Sequence, residues 1–131
     1  MKLSLQKGSP PSFLERARVI ADDLSRLSRD EEVLVVTHLD ADGLSAGSIM
    51  LQALLGMGFS VMVRVVKQLD EGAVAEINAS PQRSIVFTDL GSGQKTLLKG
   101  IMGKKIFLVD HHQPEAGEDG FFELNPHPFG V

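Results

Sequence analysis

Apolar residues recur along this chain in two alternating patterns. Short continuous apolar runs suit strands that are buried on both faces of a parallel sheet. The predicted strands are residues 33–36, 61–66, 85–87, 106–109 and 121–124. Between them, apolar residues three or four positions apart indicate amphipathic helices. The alternation predicts a three-layer α/β domain, with a Rossmann-like, mainly parallel sheet and helices on both faces.

Two longer helices are predicted in the first half of the chain. Ser12 and Glu15 have the spacing of a capping box, so the first helix should start there, after a flexible leader at residues 1–11. Its apolar stripe is Phe13, Ala17, Ile20, Leu24 and Leu27. The second helix should follow Gly43 and end near Gly56. Its apolar face is predicted to be Leu44, Gly47, Leu51, Leu54 and Leu55. Shorter helices are predicted around residues 71–77 and 94–101.

Polar motifs follow three of the predicted strands. They are Thr-His-Leu-Asp-Ala-Asp-Gly at residues 37–43, Thr88-Asp89, and Asp110-His111-His112. Functional groups of a parallel sheet collect beyond the carboxyl ends of its strands, so we expect these motifs to meet. Carboxylates with imidazoles suit a pair of divalent metals, best Mn²⁺, with Mg²⁺ or Zn²⁺ as alternatives.

Each candidate ligand has a structural alternative. His38, Asp40 and Asp42 alternate along extended chain and can therefore point the same way toward a metal. The alternative is an aspartate that caps the next helix, which is most serious for Asp42. Asp89 is the candidate bridge between two metals ~3.5 to 4 Å apart, although a lone aspartate there is often a helix cap or a turn residue.

The third motif supplies two imidazoles and a further carboxylate. One of His111 and His112 can ligate a metal while the other contacts substrate, and a surface pair without a role is the alternative. Asp110 suits a direct or supporting acceptor that fixes the tautomer of a ligating histidine.

A glycine-containing segment, Gly91-Ser92-Gly93, precedes a predicted helix. Gln94 interrupts any P-loop, so a nucleotide-triphosphate site is rejected. The free N–H groups of these three residues could bind a substrate phosphate, but a turn is favoured. His127 is predicted to be a loop residue. The basic residues around the motifs, Lys67 among them, receive no assigned role.

Composition narrows the class of protein. With 131 residues, 43% of them hydrophobic, the chain fits one domain. The net charge of −4 disfavours bulk electrostatic binding of nucleic acid, although two divalent ions would add four positive charges. The absence of cysteine excludes disulfides and thiolate zinc sites. Without a signal peptide or an apolar run of ~20 residues, we expect a cytoplasmic protein with no membrane contact.

The three motifs resemble those of the DHH phosphoesterase superfamily, named for the triplet seen here at residues 110–112. The resemblance covers about residues 33–114. Residues 88–94 and Asn125-Pro126-His127 look most like RecJ-like single-strand exonucleases. The resemblance implies Mn²⁺-dependent hydrolysis of a phosphodiester or phosphoanhydride, with water activated between two metals.

By position, the resemblance implies one metal at His38, Asp40 and Asp89. It implies a second metal at Asp42, Asp89 and His111, with His112 facing the scissile phosphate. Single-stranded DNA or RNA, or a short oligonucleotide, would be the substrate, and a replication or repair complex would be a partner.

Two family features are not recognisable in this sequence: a further metal-binding aspartate after the third motif, and a C-terminal DHH-associated domain. We therefore expect residues 12–131 to be a truncated DHH domain with an incomplete second metal site. Four acidic residues lie too close to the third motif to replace that ligand: Glu115, Glu118, Asp119 and Glu123.

Two alternatives stay open. The first is another enzyme of the superfamily, acting on short oligonucleotides, cyclic dinucleotides, nucleoside bisphosphates or pyrophosphate. The second is a non-catalytic scaffold of a replication complex, which is disfavoured because scaffolds of this group lose metal ligands that are present here.

Overall fold

The computed structural model describes residues 10–116 and 120–130, which form one five-stranded sheet packed between helices. The strand order is β2-β1-β3-β4-β5, and all neighbouring strands are parallel. The strands are β1 (Val33–His38), β2 (Val61–Val66), β3 (Ser84–Thr88), β4 (Lys105–Val109) and β5 (Phe122–Leu124). The helices are α1 (Pro10–Ser25), α2 (Ala41–Gly56), α3 (Glu71–Ala79) and the single turn α4 (Lys95–Leu98). Single 3₁₀ turns cover Ser92–Gln94 and His127–Phe129. The predicted α/β class with a parallel sheet is confirmed.

Apolar side chains cover both faces of the sheet. On one face, Ile20 and Leu24 of α1 and Leu54 of α2 pack with alternate residues of the central strands. On the other, Val74 and Ile77 of α3 and Leu98 of α4 pack with the intervening strand residues. The residues of β1 from 33 to 37 and all of β3 are buried, as the continuous apolar runs predict.

Helix α2 lies unusually close to β1, and two glycines allow this. A Cβ at Gly43 would lie 2.2 Å from the carbonyl oxygen of His38, and one at Gly47 would lie 2.7 Å from Thr37 Cγ2. This close packing fixes which face of α2 turns inward: it buries Gly43, Gly47 and Leu54. The predicted burial of Leu44 and Leu55 is wrong, since both side chains are exposed.

Several predicted boundaries are also wrong. Helix α1 begins at Pro10, so Ser12 lies inside the helix and is not its N-cap; proline is tolerated in a first turn because its missing N–H would be unpaired there. The rest of the predicted leader, residues 1–9, lies outside the described residues. The helix predicted at 94–101 is only one α-turn, because the N–H groups of Gly100 and Ile101 bond three residues back and Gly103 then takes φ +70°. None of the described helices is both long and apolar enough to span a membrane.

Candidate metal centre

The three polar motifs meet in one cleft at the carboxyl ends of β1, β3 and β4. Strand β1 has β2 on one side and β3 on the other, so the order of strands reverses there, and such a switch point is the usual ligand site of an open α/β sheet. The cleft has a volume of about 370 Å³. Its polar lining includes His38, Asp40, Lys67, Asp89, Gln94, Asp110 and His112.

His38 and Asp40 form a pair on one wall of the cleft. His38 Nδ1 lies 2.9 Å from Asp40 Oδ2, and His38 Nε2 donates to the carbonyl oxygen of Lys67 at 2.9 Å. The hydrogen bond to Asp40 raises the pKa of His38. Because both ring nitrogens have partners, a metal bound by His38 must displace one of them.

The helix cap at this strand end is Asp40, whereas the sequence made Asp42 the stronger candidate. Asp40 Oδ1 accepts the N–H of Gly43 at 2.8 Å, and this bond lowers the pKa of Asp40. Its other oxygen remains directed at His38. Asp42 lies in the first turn of α2 with an exposed side chain and is not among the residues that line the cleft.

Four residues of the other two motifs form a compact group of donors. Asp89, Asp110, His111 and His112 each offer a ligand atom, and these atoms lie within 4.8 Å of one another. His111 Nε2 lies 2.8 Å from Asp89 Oδ1, and the two imidazole rings lie 4.4 Å apart. In the described part of the chain, this is the cluster whose geometry suits a metal ion.

Asp89 adopts a backbone conformation that residues with side chains rarely use. Its φ is +61°, the one positive φ among the described residues that are not glycine. Aspartate tolerates this left-handed region better than most residues, at a cost of about 1–2 kcal/mol. The backbone N–H of Asp89 donates to Val109 at 3.0 Å, and its carboxylate is almost buried beside His111. Such strain is found preferentially at functional sites.

Asp110 is fully buried and orients the third motif. One oxygen, Oδ1, accepts the N–H of His111 at 2.8 Å and the ring Nδ1 of His112 at 2.6 Å. The other, Oδ2, accepts the N–H of Ser92 at 3.1 Å. The hydrogen bond to Asp110 raises the pKa of His112, which favours the imidazolium form at the cleft.

In the glycine-containing segment 91–93, which the sequence offered as a weak candidate for phosphate binding, Ser92 bonds other side chains of the protein. Gly91 and Gly93 line the cleft, but Ser92 is buried, and its N–H and hydroxyl bond Asp110 and Glu123. Glu123 is therefore engaged outside the donor group, and so is Glu115, whose carboxylate accepts from Thr96. The remaining candidates, Glu118 and Asp119, lie outside the described residues.

Two residues that hold the third motif in place received no functional assignment from the sequence. Asn125 is buried and donates to the carbonyl oxygen of His112 at 2.8 Å. His127, predicted as a plain loop residue, donates from Nε2 to the carbonyl oxygen of His111 at 2.8 Å. Their one signal in the sequence was the Asn-Pro-His segment, which figured only in the family resemblance.

Solved structures of other proteins share this fold. Crystal structures of RecJ from Thermus thermophilus in complex with Mn²⁺, and of exonuclease RecJ bound to manganese, superimpose with TM-scores of 0.69 and 0.70. They cover 98% and 96% of this chain, at 20% and 19% sequence identity. The chain has the fold of the RecJ exonucleases. It spans only 18% and 33% of those two chains.

One curated relative is similar in sequence. An uncharacterized protein of Methanocaldococcus jannaschii is 31% identical over 107 residues, which is 76% of this chain. The chain spans 24% of that relative's length. No family model matches the sequence.

Proposed function

We propose that this chain is the metal-binding part of a DHH-type phosphoesterase, a RecJ-like exonuclease that hydrolyses phosphodiester bonds of single-stranded DNA or RNA with Mn²⁺. The observation that carries the proposal is the compact Asp89, Asp110, His111 and His112 group at the strand switch point. The RecJ fold supports it, since manganese was bound in both solved RecJ structures.

The residues present fit such an ion. Mixed carboxylate and imidazole donors suit Mn²⁺ better than Ca²⁺ or a thiolate-seeking metal. Asp89 would hold metal together with His111, whose Nε2 lies 2.8 Å from it, and with His38 and Asp40, which line the same cleft as Asp89; Asp89 would thus be shared between two sites. When bound, divalent ions would make water a better nucleophile and stabilise charge on the phosphate.

Asp42 is the residue that this arrangement accommodates least. The resemblance makes it a ligand of the second metal, yet its exposed side chain on α2 belongs neither to the donor group that contains His111 nor to the residues that line the cleft. The second ligand set that we propose is therefore Asp89 and His111, with Asp110 and His112 in the same donor group.

The protein's own groups would bind and protonate the substrate. His112 is half-exposed at the cleft, and Asp110 holds a proton on its ring by accepting from Nδ1. Because the pKa of His112 is raised, its Nε2 can also hold a proton, and the imidazolium so formed can bind a phosphate oxygen or give the Nε2 proton to the leaving oxygen. Lys67 also lines the cleft and adds an exposed cation that can contact the substrate backbone.

The test begins with calorimetric titration of Mn²⁺ into the chain and into Asp89→Ala. We expect binding to the wild type and at least a tenfold loss in the variant, because Asp89 belongs to both proposed ligand sets. An Asp30→Asn variant, exposed and not among the cleft-lining residues, should bind like the wild type. Absence of binding to the folded wild type would contradict the proposal and favour a scaffold.

A substrate panel then resolves the reaction. Labelled single-stranded oligonucleotides, a cyclic dinucleotide, a nucleoside bisphosphate and pyrophosphate are each incubated with Mn²⁺ and the full-length protein. Cleavage of the oligonucleotide that is lost in His112→Gln supports the exonuclease. Hydrolysis confined to a small substrate would instead support another phosphoesterase of the superfamily.

A further inference from the structure

A largely buried ion pair lies near the candidate metal centre, outside the residues that line the cleft. Lys95 Nζ of α4 lies 2.6 Å from Glu123 Oε1 of β5, and the two side chains are only 8% and 17% exposed. Removing two charges from water costs free energy that their attraction repays only in part, so a buried ion pair is a poor device for stability alone. Its position therefore calls for a functional explanation.

Hydrogen bonds connect this ion pair to the third motif. The second oxygen of Glu123 accepts the hydroxyl of Ser92 at 2.6 Å, and the N–H of Ser92 donates to Asp110 Oδ2 at 3.1 Å. Asn125 donates to Ser92 Oγ at 3.1 Å and to the carbonyl oxygen of His112 at 2.8 Å. The pair thus reaches both ends of the Asp110-His112 segment.

We propose that the Lys95–Glu123 ion pair, acting through Ser92 and Asn125, positions the Asp110-His111-His112 segment for metal binding. This inference rests on the proposed function of the cleft. Glu123 fixes Ser92, and Ser92 in turn engages one oxygen of Asp110, which leaves the other oxygen for the ring and backbone of the two histidines. Lys95, Glu123, Ser92 and Asn125 are positioning residues, because they act through Asp110 and the histidines.

The main variant is Glu123→Gln, which keeps the shape of the side chain and removes its charge. We expect its Kd for Mn²⁺ to rise by about 10–100-fold, the usual effect of losing a residue that orients metal ligands. In the metal-free protein, NMR should show shifted backbone amide signals for His111 and His112. Ser92→Ala, a smaller change that removes one hydroxyl, should shift the same two signals and weaken Mn²⁺ binding.

Two controls separate positioning from stability. Ile77→Val removes one methylene from the core on α3 and lowers stability without touching the network. Arg64→Met breaks the exposed Arg64–Glu76 ion pair between β2 and α3. Both should leave the Kd for Mn²⁺ within twofold of the wild type, even where Ile77→Val lowers the Tm as much as Ser92→Ala does.

The proposal is overturned if Glu123→Gln or Ser92→Ala folds, keeps its Kd within twofold and leaves both histidine amides unshifted. If Glu123→Gln does not fold, Ser92→Ala decides alone. If the wild type binds no Mn²⁺, the proposed function fails separately. The metal-free amide shifts then still decide whether the network positions the segment.

Discussion

Replacing Asp89 with asparagine should separate the stability of the cleft from its ability to bind metal. The ligand oxygens of Asp89 and Asp110 lie within 4.8 Å of one another. At that distance and an effective dielectric constant of ~20, two carboxylates repel by about 3.5 kcal/mol. The asparagine oxygen can still accept from His111, whose side chain is 61% exposed, and the loss of charge from that hydrogen bond costs about 0.5–1 kcal/mol. Nearby imidazoles reduce the repulsion, so we expect a net gain of roughly 2 kcal/mol in the metal-free protein.

Asparagine also suits the backbone at this position. It tolerates the left-handed conformation at φ +61° about as well as aspartate, so the substitution adds no strain. Bound metal should reverse the difference in stability between the variant and the wild type. Saturation of the wild type at 100 times its Kd should stabilise it by about 2.7 kcal/mol, while the variant, which lacks a shared anionic ligand, should gain almost nothing.

Urea unfolding in EDTA and in Mn²⁺ measures both effects. We expect Asp89→Asn to be more stable than the wild type in EDTA and less stable in saturating Mn²⁺. Asp30→Asn removes the same charge from an exposed site that does not line the cleft. Its free energy of unfolding should match that of the wild type in both EDTA and Mn²⁺. A variant that is less stable in EDTA, or that gains as much from Mn²⁺ as the wild type, would refute the reasoning.

Three further measurements probe other parts of the site. Gly43→Ala places a Cβ 2.2 Å from a backbone oxygen of β1, so thermal unfolding should show that the protein loses about 3 kcal/mol of stability. The control Gly56→Ala, which has open space around it, should be neutral or stabilising. An unchanged Tm for Gly43→Ala would contradict the close packing. Lys67→Ala should reduce the salt dependence of oligonucleotide binding by about one counterion while leaving Mn²⁺ affinity unchanged, and an unaltered salt slope would remove this residue from the substrate path. His112 has a raised pKa because it donates to Asp110, so its stabilising contribution in EDTA is complete below its ordinary value of 6.5 and is lost as the pH rises through the raised value. Urea unfolding from pH 6 to 9 should show this fall, which Asp110→Asn should reduce without abolishing it, because the pKa of His38 is also raised; an equally steep fall in that variant would assign it to other groups.

Local patterns in the sequence predicted the sheet well and the helices less well. Strands β1 and β3 correspond to apolar runs that are buried on both faces, and such runs need no knowledge of their neighbours to be recognised. The apolar run of the edge strand β2 is instead exposed at Met62, Val63 and Val65. The inward face of α2 was wrong at Leu44 and Leu55, because the close approach of Gly43 and Gly47 to β1 sets the rotation of the helix. The periodicity of apolar residues in α2 alone cannot predict that contact with β1.

The sequence also predicted some features of the candidate site and not others. Three motifs at three strand ends were enough to place carboxylates and imidazoles at one edge of a parallel sheet, because that edge is common to all the strands. The choice of Asp40 over Asp42 as the helix cap needed the backbone path from β1 into α2. The orienting contacts of Ser92, Glu123 and Asn125 could not be predicted, because each joins residues at least 13 positions apart.

By itself, the sequence determined the class of fold, the order in which strands and helices follow one another, and the chemistry available at the strand ends. Those properties depend on hydrophobic periodicity and on residue type, both of which are local. Only the tertiary structure decided which donors share one compact group, which aspartate caps α2, and how the Lys95–Glu123 pair reaches Asp110. Hydrogen bonds and ion pairs require particular distances between atoms, and chain packing alone brings residues so far apart in sequence to those distances.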